Sequence, residues 1–371
     1  MSLSVIIPYN NAALYLELCL SSLLKGRENF DEVIVVSNGN VVHPSPPSQY
    51  EGLVRILRYD EPLGYGEAIN RGVAEARGKY LVFCDADTFF PQPNWIARHQ
   101  ALRKDYPNIG ISSSKLINYR TDRILDFGIG RTRFNNFHPY RDALTSDPRV
   151  QQSRRVQMAC SAAMMIEKAL FQKLGGFDPA LRYYFQDVDL SLRVKDEGLQ
   201  IWVVADAIGY HRGHASSIVR APFQTDERTY ITLKHAGLFE VDYPKYLSES
   251  LRPYRAHLAK GPFGLVNLST ITDNDEVLAV ISDSIELKHL AKWTPKVRDL
   301  EFIALTDVVD TKVLRYPHPL LILVDRFSSV AQNGLWHSAR DTTADFVIDR
   351  NANAFRFDEI TGFSSRLREA R

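Results

Sequence analysis

Four short stretches of the chain combine residue types that could do chemistry. The first is Cys84-Asp85-Ala86-Asp87, in which two carboxylates follow an apolar run. Side chains on extended backbone alternate between faces, so Asp85 and Asp87 can share a ligand only if the strand ends there in a turn. In a turn, the pair could hold a hard divalent cation, which would in turn hold a diphosphate. The alternative is a solvated strand end that binds nothing.

The second stretch, Glu61–Gly72, contains two glycines one residue apart, Gly64 and Gly66, at the predicted start of a helix. Backbone N–H groups can approach an anion closely where side chains are missing, as they do in phosphate-binding loops. The glycine spacing does not fit the Rossmann fingerprint. The absence of a Gly-Lys-Ser/Thr sequence excludes a P-loop. A plain turn before a helix explains the two glycines equally well.

The third stretch runs from Arg182 to Arg193, where aromatic residues lead into a predicted helix whose first turn carries Asp187 and Asp189. The helix dipole favours carboxylates at this end, so helix capping is one explanation. A general base at the rim of a pocket is the other. The fourth stretch, Tyr210–Ser216, offers the imidazole of His211, which could join Asp87 on a manganese-like ion or be an ordinary satisfied polar group.

Alternating periodicity identifies the elements that must position these residues. The first hundred residues predict strands and helices in turn, and this order indicates a mostly parallel sheet flanked by helices. Asp85 would then lie just beyond the carboxyl end of a strand, where open α/β sheets bind their ligands. The predicted strands are Leu3–Ile7, Glu32–Val36, Leu53–Leu57, Lys79–Cys84, Gly110–Leu116 and Ile201–Val204. The predicted helices are Ala12–Leu24, Gly66–Ala76, Trp95–Lys104, Glu167–Leu174, Gln186–Glu197 and Thr225–His235.

The composition changes near residue 240, which suggests a domain boundary. Asp242–Pro262 has the composition of a connector. Three apolar runs follow it, and a helical stretch, Ile285–Trp293, separates the first two; together they predict a smaller C-terminal α/β unit. Those runs are Val277–Ile281, Phe302–Leu305 and Leu320–Val324. We therefore expect a larger domain over residues 1–240 and a smaller one over 241–371.

Charge and cysteine content narrow the function classes. The 371 residues include 45 Lys+Arg and 44 Asp+Glu, and this balance argues against nucleic acid as the main partner. The three cysteines form neither a disulfide framework nor a metal quartet, as expected for a cytoplasmic protein in a reducing compartment. We expect no transmembrane segment, because no apolar run reaches the necessary length. Peripheral association with the inner face of a membrane stays open.

Taken in this order, the stretches resemble the family 2 glycosyltransferases, inverting enzymes with the glycosyltransferase-A fold, and most closely the rhamnosyltransferase-like branch. The resemblance covers about 235 residues, and it implies that residues 1–240 form a nucleotide-sugar-binding catalytic domain, followed by an accessory domain of unknown role over 241–371. It is carried by Ser4–Asn10, Val33–Gly39, Gly64–Gly72, Asp85–Asp87, Gly175–Asp178, Tyr184–Arg193 and His211–Ser216.

The resemblance implies a metal-dependent, hexosyltransferase-type enzyme of polysaccharide biosynthesis. It would transfer a sugar, with inversion, from a nucleoside diphosphate sugar to a hydroxyl of a glycan or lipid-linked acceptor, assisted by Mg or Mn. Asp187 would be the general base, with Asp189 as the second choice. Asp87 and His211 would hold the metal.

The resemblance also implies which residues contact the donor. The nucleotide pocket would be lined by Pro8, Tyr9 and Asn10, with Asn38 and Gly39 near the base. The ribose and diphosphate would be flanked by Gly66, Asn70 and Arg71, and the ribose or sugar would be contacted by Asp85.

Two departures from the family pattern matter. Ser37 stands where the family usually has an acidic residue that reads the nucleotide base, so the nucleotide is left open. Gln186 replaces the glutamate of the usual Glu-Asp pair, and an amide cannot take a proton, which leaves Asp187 as the base. The rival function is a catalytically silent sugar-nucleotide or glycan-binding module. A sugar-1-phosphate nucleotidyltransferase would instead show a glycine- and arginine-rich loop after the first strand.

Overall fold

The computed structural model describes residues 2–10, 13–39, 43–45, 50–132, 135–212, 224–251, 279–282, 301–303, 321–324 and 346–356. The chain divides into two compact units. The first comprises residues 1–130 and 140–240, and the second comprises residues 131–139 and 241–371. The catalytic and accessory roles expected for the two parts of the chain stay predictions.

Seven helices and seventeen strands lie within the described residues. The helices are α1 (Ala13–Leu24), α2 (Tyr65–Glu75), α3 (Trp95–Asp105), α4 (Lys168–Lys173), α5 (Gln186–Asp196), α6 (Gln224–Lys234) and α7 (Tyr243–Leu251). The strands up to residue 137 are β1 (Leu3–Tyr9), β2 (Glu32–Asn38), β3 (Val54–Tyr59), β4 (Tyr80–Cys84), β5 (Thr88–Phe89), β6 (Ile109–Asn118), β7 (Arg123–Asp126), β8 (Gly130–Arg131) and β9 (Asn136–Phe137). The remaining strands are β10 (Arg154–Val156), β11 (Ala163–Glu167), β12 (Gln200–His211), β13 (Ala279–Ser282), β14 (Glu301–Ile303), β15 (Leu321–Val324), β16 (Phe346–Asp349) and β17 (Ala354–Arg356).

A ten-stranded sheet forms the first unit and confirms the predicted mostly parallel, helix-flanked architecture. Its main order is β10-β12-β6-β11-β4-β1-β2-β3, with β5 paired to β12 and β7 paired to β6. The strands β4, β1, β2 and β3 are parallel, and so are β6 and β12. Between these two groups, β11 runs antiparallel to both neighbours. Because of this reversal, Ala163 at the start of β11 pairs with Cys84 at the end of β4, so the segment before β11 lies at the carboxyl edge beside Asp85.

The central strands are apolar on both faces because helices cover both sides of the sheet. Every residue of β2, and every residue of β1 except Pro8, is buried. Close approach of α2 to this sheet requires Gly72, since a Cβ there would lie 2.4 Å from the Ile6 Cγ2 methyl. Parallel strands buried on both faces have this continuous apolar pattern rather than an alternating one.

Strand β12 is longer than its sequence predicts. We expected it to end at Val204, but it continues to His211 through an irregularity between Val204 and Ile208. The intervening segment contains alanines and the exposed Asp206, which have weak strand propensity. The extension brings His211 into a pair with Thr88, three residues beyond Asp85. Strand β7 joins the same sheet by pairing with β6.

The second unit contains a five-stranded sheet of order β14-β13-β15-β16-β17, parallel except for its last pair. The three predicted apolar runs supply β13, β14 and β15. The expected connector Asp242–Pro262 begins with a helix instead, because Pro244 stands in the first turn, where the missing N–H costs nothing. The predicted helix Ile285–Trp293 lies outside the described residues.

A helix that crosses a membrane needs about 20 predominantly apolar residues. In the described part of the chain, no helix is both long and apolar enough to cross a bilayer.

A stability prediction follows from Gly78, which lies between α2 and β4. A Cβ at this position would lie 2.5 Å from the Ser4 backbone N and 2.7 Å from the Leu3 carbonyl carbon, and backbone atoms cannot yield as side chains do. We expect Gly78→Ala to lower the free energy of unfolding by about 1–3 kcal/mol in urea denaturation. Lys79→Ala, at the exposed neighbouring position, is the control and should change the same quantity by less than about 0.5 kcal/mol. Equal stability of the two variants would contradict the close approach.

Candidate active site

A tight turn follows β4. Asp85 and Asp87 need such a turn if they are to share a ligand. The Thr88 N–H donates to the Asp85 carbonyl at 3.0 Å, so the strand ends at Cys84 and the chain reverses over Ala86 and Asp87. The next two residues form β5, which pairs with the last two residues of β12. The turn therefore presents both carboxylates toward the end of β12.

His211 completes the group of potential ligands. Its Nε2 lies 3.1 Å from Asp87 Oδ1 and 3.5 Å from Asp85 Oδ2. Burial alone would lower the pKa of His211, but hydrogen bonds to the two carboxylates and their negative charge outweigh burial and raise it to about 10. For Asp87, burial would raise the pKa, yet the hydrogen bond and charge of His211 lower it. A proton on His211 thus supplies positive charge that the two carboxylates require.

The same three side chains fit a divalent cation. One ligand atom from each of Asp85, Asp87 and His211 can be chosen so that all three lie within 4.8 Å of one another. Asp85 Oδ1 is buried and has no hydrogen-bond partner among the described residues, so it is an oxygen in need of a ligand. Two carboxylates and one imidazole suit Mn particularly well, because imidazole is a common ligand of first-row transition metals.

Asp187 lies on the other side of a short backbone segment, Ser161–Ala162. The Ser161 N–H donates to Asp187 Oδ2 at 3.3 Å, and the Asp85 N–H donates to the Ala162 carbonyl at 3.1 Å. Burial raises the pKa of Asp187 to about 6; the N–H groups of Val188 and Ser161 oppose this rise, and the charges of Asp126 and Asp85 add to it. A half-buried carboxylate with such a pKa is suited to general-base work near neutral pH.

The N-terminal part of the chain also matches a known family. Residues 4–175 match the model of Glycosyl transferase family 2. This segment is a family 2 glycosyltransferase domain. Together with the mostly parallel sheet, the match confirms the predicted glycosyltransferase-A type of fold. The rhamnosyltransferase-like branch stays a prediction.

The sequence similarity to an individual protein is low and covers only part of the chain. The chain is 28% identical over 227 residues to the O-antigen biosynthesis protein RfbC of Myxococcus xanthus. That match covers 57% of this chain and 17% of RfbC, so the chain spans about a sixth of that protein's length.

Two solved structures share part of the chain's arrangement. GalNAc-T7, solved with UDP, GalNAc and Mn2+, has a TM-score of 0.45 at 18% identity, over 57% of this chain and 44% of its own. The mannosyltransferase PcManGT of Pyrobaculum calidifontis, solved with GDP-Man and Mn2+, has a TM-score of 0.42 at 17% identity, over 70% of this chain and 75% of its own.

Tyr65 is a residue of the glycosyltransferase domain that the sequence analysis missed. Its hydroxyl donates to the Ser161 carbonyl at 3.5 Å, on the same backbone segment that holds Asp187. Burial raises the pKa of Tyr65 well above its ordinary value, and the charges of Asp85 and Asp187 raise it further. Tyr65 therefore stays neutral and can donate a hydrogen bond beside both carboxylates. In the sequence, the feature that could have drawn attention to Tyr65 was its position between Gly64 and Gly66.

The expected nucleotide-pocket residues lie together at the ends of β1 and β2. Pro8 and Tyr9 end β1, and the Asn10 side chain donates to the Asn38 carbonyl at 2.7 Å. Asn38 itself is buried; its amide accepts from the Leu63 N–H at 2.6 Å and donates to the Gly64 carbonyl at 3.2 Å. The Asn38 side chain thus holds the turn before α2. Its backbone neighbour Gly39 has a φ of +67° and lies against Pro62.

Two residues expected beside the diphosphate are engaged elsewhere. The Asn70 amide donates to the Phe177 carbonyl at 2.8 Å and accepts from the Phe177 N–H at 2.9 Å, so it holds the Gly-Gly-Phe-Asp turn rather than offering a donor to a ligand. Arg71 lies on the exposed face of α2, where it pairs with Glu67 at 2.7 Å. Their roles beside the diphosphate stay predictions, as does that of Gly66, which lies in the first turn of α2 and packs against Gln186.

Ser37, at the position where the family usually has an acid, forms a chain of hydrogen bonds. Its Oγ lies 2.8 Å from His43 Nδ1, and His43 Nε2 lies 2.9 Å from Asp60 Oδ1. Despite the residue types, this is not a nucleophilic triad, because the Ser37 side chain is fully buried within the sheet. The companion residue His214 of the fourth stretch lies outside the described residues.

Asp189, the second choice as base, is held in a network of two cationic side chains and an imidazole. Its carboxylate pairs with Arg193, with Lys234 at 2.7 Å and with His235 at 2.7 Å, and the side chain is fully buried. Burial would raise the pKa of Asp189, but the hydrogen bond from His235 and the charges of Arg193 and Lys234 lower it to about 2. A carboxylate so strongly held cannot accept a proton at neutral pH, which leaves Asp187 as the base to be tested.

The network makes a pH-dependent contribution to stability. Because the pKa of Asp189 falls from 3.8 in the unfolded chain to about 2 on folding, its contribution is complete above pH 3.8 and disappears as the pH falls through 2. We expect Asp189→Asn to cost about 3 kcal/mol in urea denaturation at pH 7, because it removes the buried carboxylate charge that Arg193, Lys234 and His235 share. The difference from the unmodified protein should shrink as the pH falls below 4.

The exposed Asp196 on the same helix provides the control for this prediction. Asp196→Asn should leave the free energy of unfolding within about 0.5 kcal/mol of the original at both pH values. A loss in Asp189→Asn that is the same at pH 7 and pH 3 would show that packing, rather than charge, is responsible.

Proposed function

We propose that this chain transfers a sugar, with inversion, from a nucleoside diphosphate sugar to a hydroxyl of a glycan or lipid-linked acceptor. The observation that carries the proposal is the placement of two groups on either side of Ser161–Ala162. One is the group Asp85, Asp87 and His211, which fits a cation; the other is Asp187, which has the pKa of a base. Asp85 and Asp87 lie within residues 4–175, which match Glycosyl transferase family 2, and Asp187 and His211 follow that segment.

In the proposed reaction, Asp187 takes the proton from the acceptor hydroxyl. The oxygen then bonds to the anomeric carbon from the face opposite the leaving group, and the bond from that carbon to the diphosphate oxygen breaks, with its electron pair remaining on the diphosphate. A divalent cation held by Asp85, Asp87 and His211 would neutralise the charge that develops on this leaving group. Tyr65, which is neutral, donates its hydroxyl proton to the Ser161 carbonyl and so helps to hold the backbone segment between the two groups.

The biological setting is part of the proposal. The name of the Myxococcus relative assigns that protein to O-antigen biosynthesis. We propose that this chain acts likewise in polysaccharide biosynthesis. A silent binding module is less consistent with the site, because simple binding gives no reason to keep a half-buried carboxylate with a pKa of about 6.

Replacing the base tests the mechanism. The assay supplies a nucleoside diphosphate sugar as the donor and Mn as the metal, and it measures release of the nucleoside diphosphate. We expect Asp187→Asn to reduce kcat by about a hundredfold to ten-thousandfold. Donor binding should be retained. In the unmodified protein, kcat should rise with pH through about 6 as Asp187 loses its proton, and this rise should be absent from the residual activity of the variant.

Asp196→Asn, an equivalent change at an exposed position of the same helix, controls for the loss of a carboxylate and should be fully active. Full transfer activity in Asp187→Asn would remove this residue from the mechanism. Absence of both binding and turnover with every nucleoside diphosphate sugar would remove the proposed function itself.

Metal binding can be tested separately from turnover. His211 carries a proton at pH 7, since its pKa is about 10, and a cation can use its imidazole only after displacing that proton. We therefore expect the affinity for Mn, measured by calorimetry, to increase with pH between 6 and 8 by as much as about tenfold per unit. Asp87→Asn should weaken binding, whereas Asp206→Asn, at an exposed position of β12, should not. Equal affinity in the two variants would contradict the assignment of the cation site.

A further inference from the structure

One face of α6 holds the start of α5, the helix that carries Asp187. Glu227, Ile231 and Lys234 are spaced by four and three residues, so they lie on the same side of the helix. Ile231 is buried in a cluster with Val188 and Leu192 of α5. Lys234 and the following residue, His235, bind Asp189 in the first turn of α5. The remaining member of this face, Glu227, contacts the loop that precedes α5.

Glu227 accepts three hydrogen bonds from consecutive backbone N–H groups. The donors are Arg182 at 2.9 Å, Tyr183 at 3.2 Å and Tyr184 at 2.6 Å, and the glutamate is 5% exposed. Successive N–H groups that converge in this way form an anion-binding concavity, and here a side chain from another helix fills it. Hydrogen bonds to a charged acceptor are the stronger kind, so this contact fixes the loop firmly.

The loop needs such fixing because its last residue is strained. Phe185, at the N-terminal boundary of α5, has a φ of +64°, a left-handed conformation that costs a side-chain-bearing residue about 1–3 kcal/mol unless its surroundings enforce it. At the other end of the loop, the Arg182 carbonyl accepts from the Tyr65 N–H at 2.9 Å. The loop therefore joins Tyr65 on one side of the site to Asp187 on the other.

We propose that Glu227 is a positioning residue for Asp187: its carboxylate holds the loop 182–185 in the conformation that sets the direction of the first turn of α5. This inference rests on the proposed function, because it concerns the base of that reaction. Without the glutamate charge, the three N–H groups lose their common acceptor and Phe185 can leave its strained conformation. The first turn of α5 then changes its direction, and the Asp187 carboxylate moves away from the Ser161 N–H.

The experiment compares Glu227→Gln with Asp226→Asn, a change at the exposed preceding position of the same helix. An amide has a single oxygen, and its NH2 group repels the third N–H, so Glu227→Gln retains shape but loses the common acceptor. We expect its kcat to fall by about tenfold to a hundredfold, the cost of a displacement of roughly 1 Å at a reacting group. The donor KM should stay within about twofold, because the donor site is separate from the displaced carboxylate. Asp226→Asn should match the unmodified protein.

Several outcomes would overturn the inference. An unchanged kcat in folded Glu227→Gln would show that the loop keeps its conformation without the charge. A fall in kcat accompanied by an equal loss of donor affinity would indicate collapse of the whole site rather than displacement of the base. If Glu227→Gln does not fold, Glu227→Asp is measured in the same way; it keeps the charge but moves it one methylene away from the three N–H groups. A fall in kcat at constant donor KM supports the proposal there, and an equal loss of kcat and donor affinity overturns it. Failure of the proposed function is a different result, in which the unmodified protein itself releases no nucleoside diphosphate.

Discussion

Repulsion between carboxylates is the constraint on which the site depends. Burial raises the pKa of Asp187, the charges of Asp126 and Asp85 add to that rise, and Asp85 shares His211 with Asp87. Carboxylates brought together in partly buried surroundings must be neutralised by a cation, or some of them must bind a proton. Both solutions coexist here. His211 supplies a positive charge to one pair, while Asp187 stands near the point at which it would take up a proton.

The fold meets this constraint by giving each carboxylate its own support. Asp85 and Asp87 lie on a turn fixed by β4 and β5, and the reversed direction of β11 delivers the Ser161 N–H to Asp187. The base helix is in turn held by α6, through charges at both ends of one face and an isoleucine between them. Asp187 and Asp189 are only two residues apart, yet Asp187 lies near the acids Asp85 and Asp126, whereas Asp189 is bound by Arg193, Lys234 and His235. Their opposite pKa shifts follow from the helix geometry, which turns them toward different neighbours.

The elements of the first unit, and the carboxylates at strand and helix ends, could be read from the sequence because they depend on local pattern. Apolar runs, helical spacing and the position of Asp85 after a buried strand are properties of short segments. Chain-distant contacts could not be read in this way. The continuation of β12 to His211 depends on pairing with β5 and β6, and the engagement of Asn70 by Phe177 depends on a turn a hundred residues further along the chain. Glu227 gave no signal, because an acid in the first turn of a helix is common.

The distance along the chain between His211 and the turn that it meets has a consequence for folding. More than a hundred residues separate Asp87 from its imidazole partner, and β11 and β12 must both join the sheet before the two can meet. Pairings of such high contact order form slowly, since the entropy of closing a long loop is lost before the contact is gained. The cation group is therefore among the last features of the first unit to assemble. A nascent chain would acquire its strands well before it acquires the ability to bind a metal.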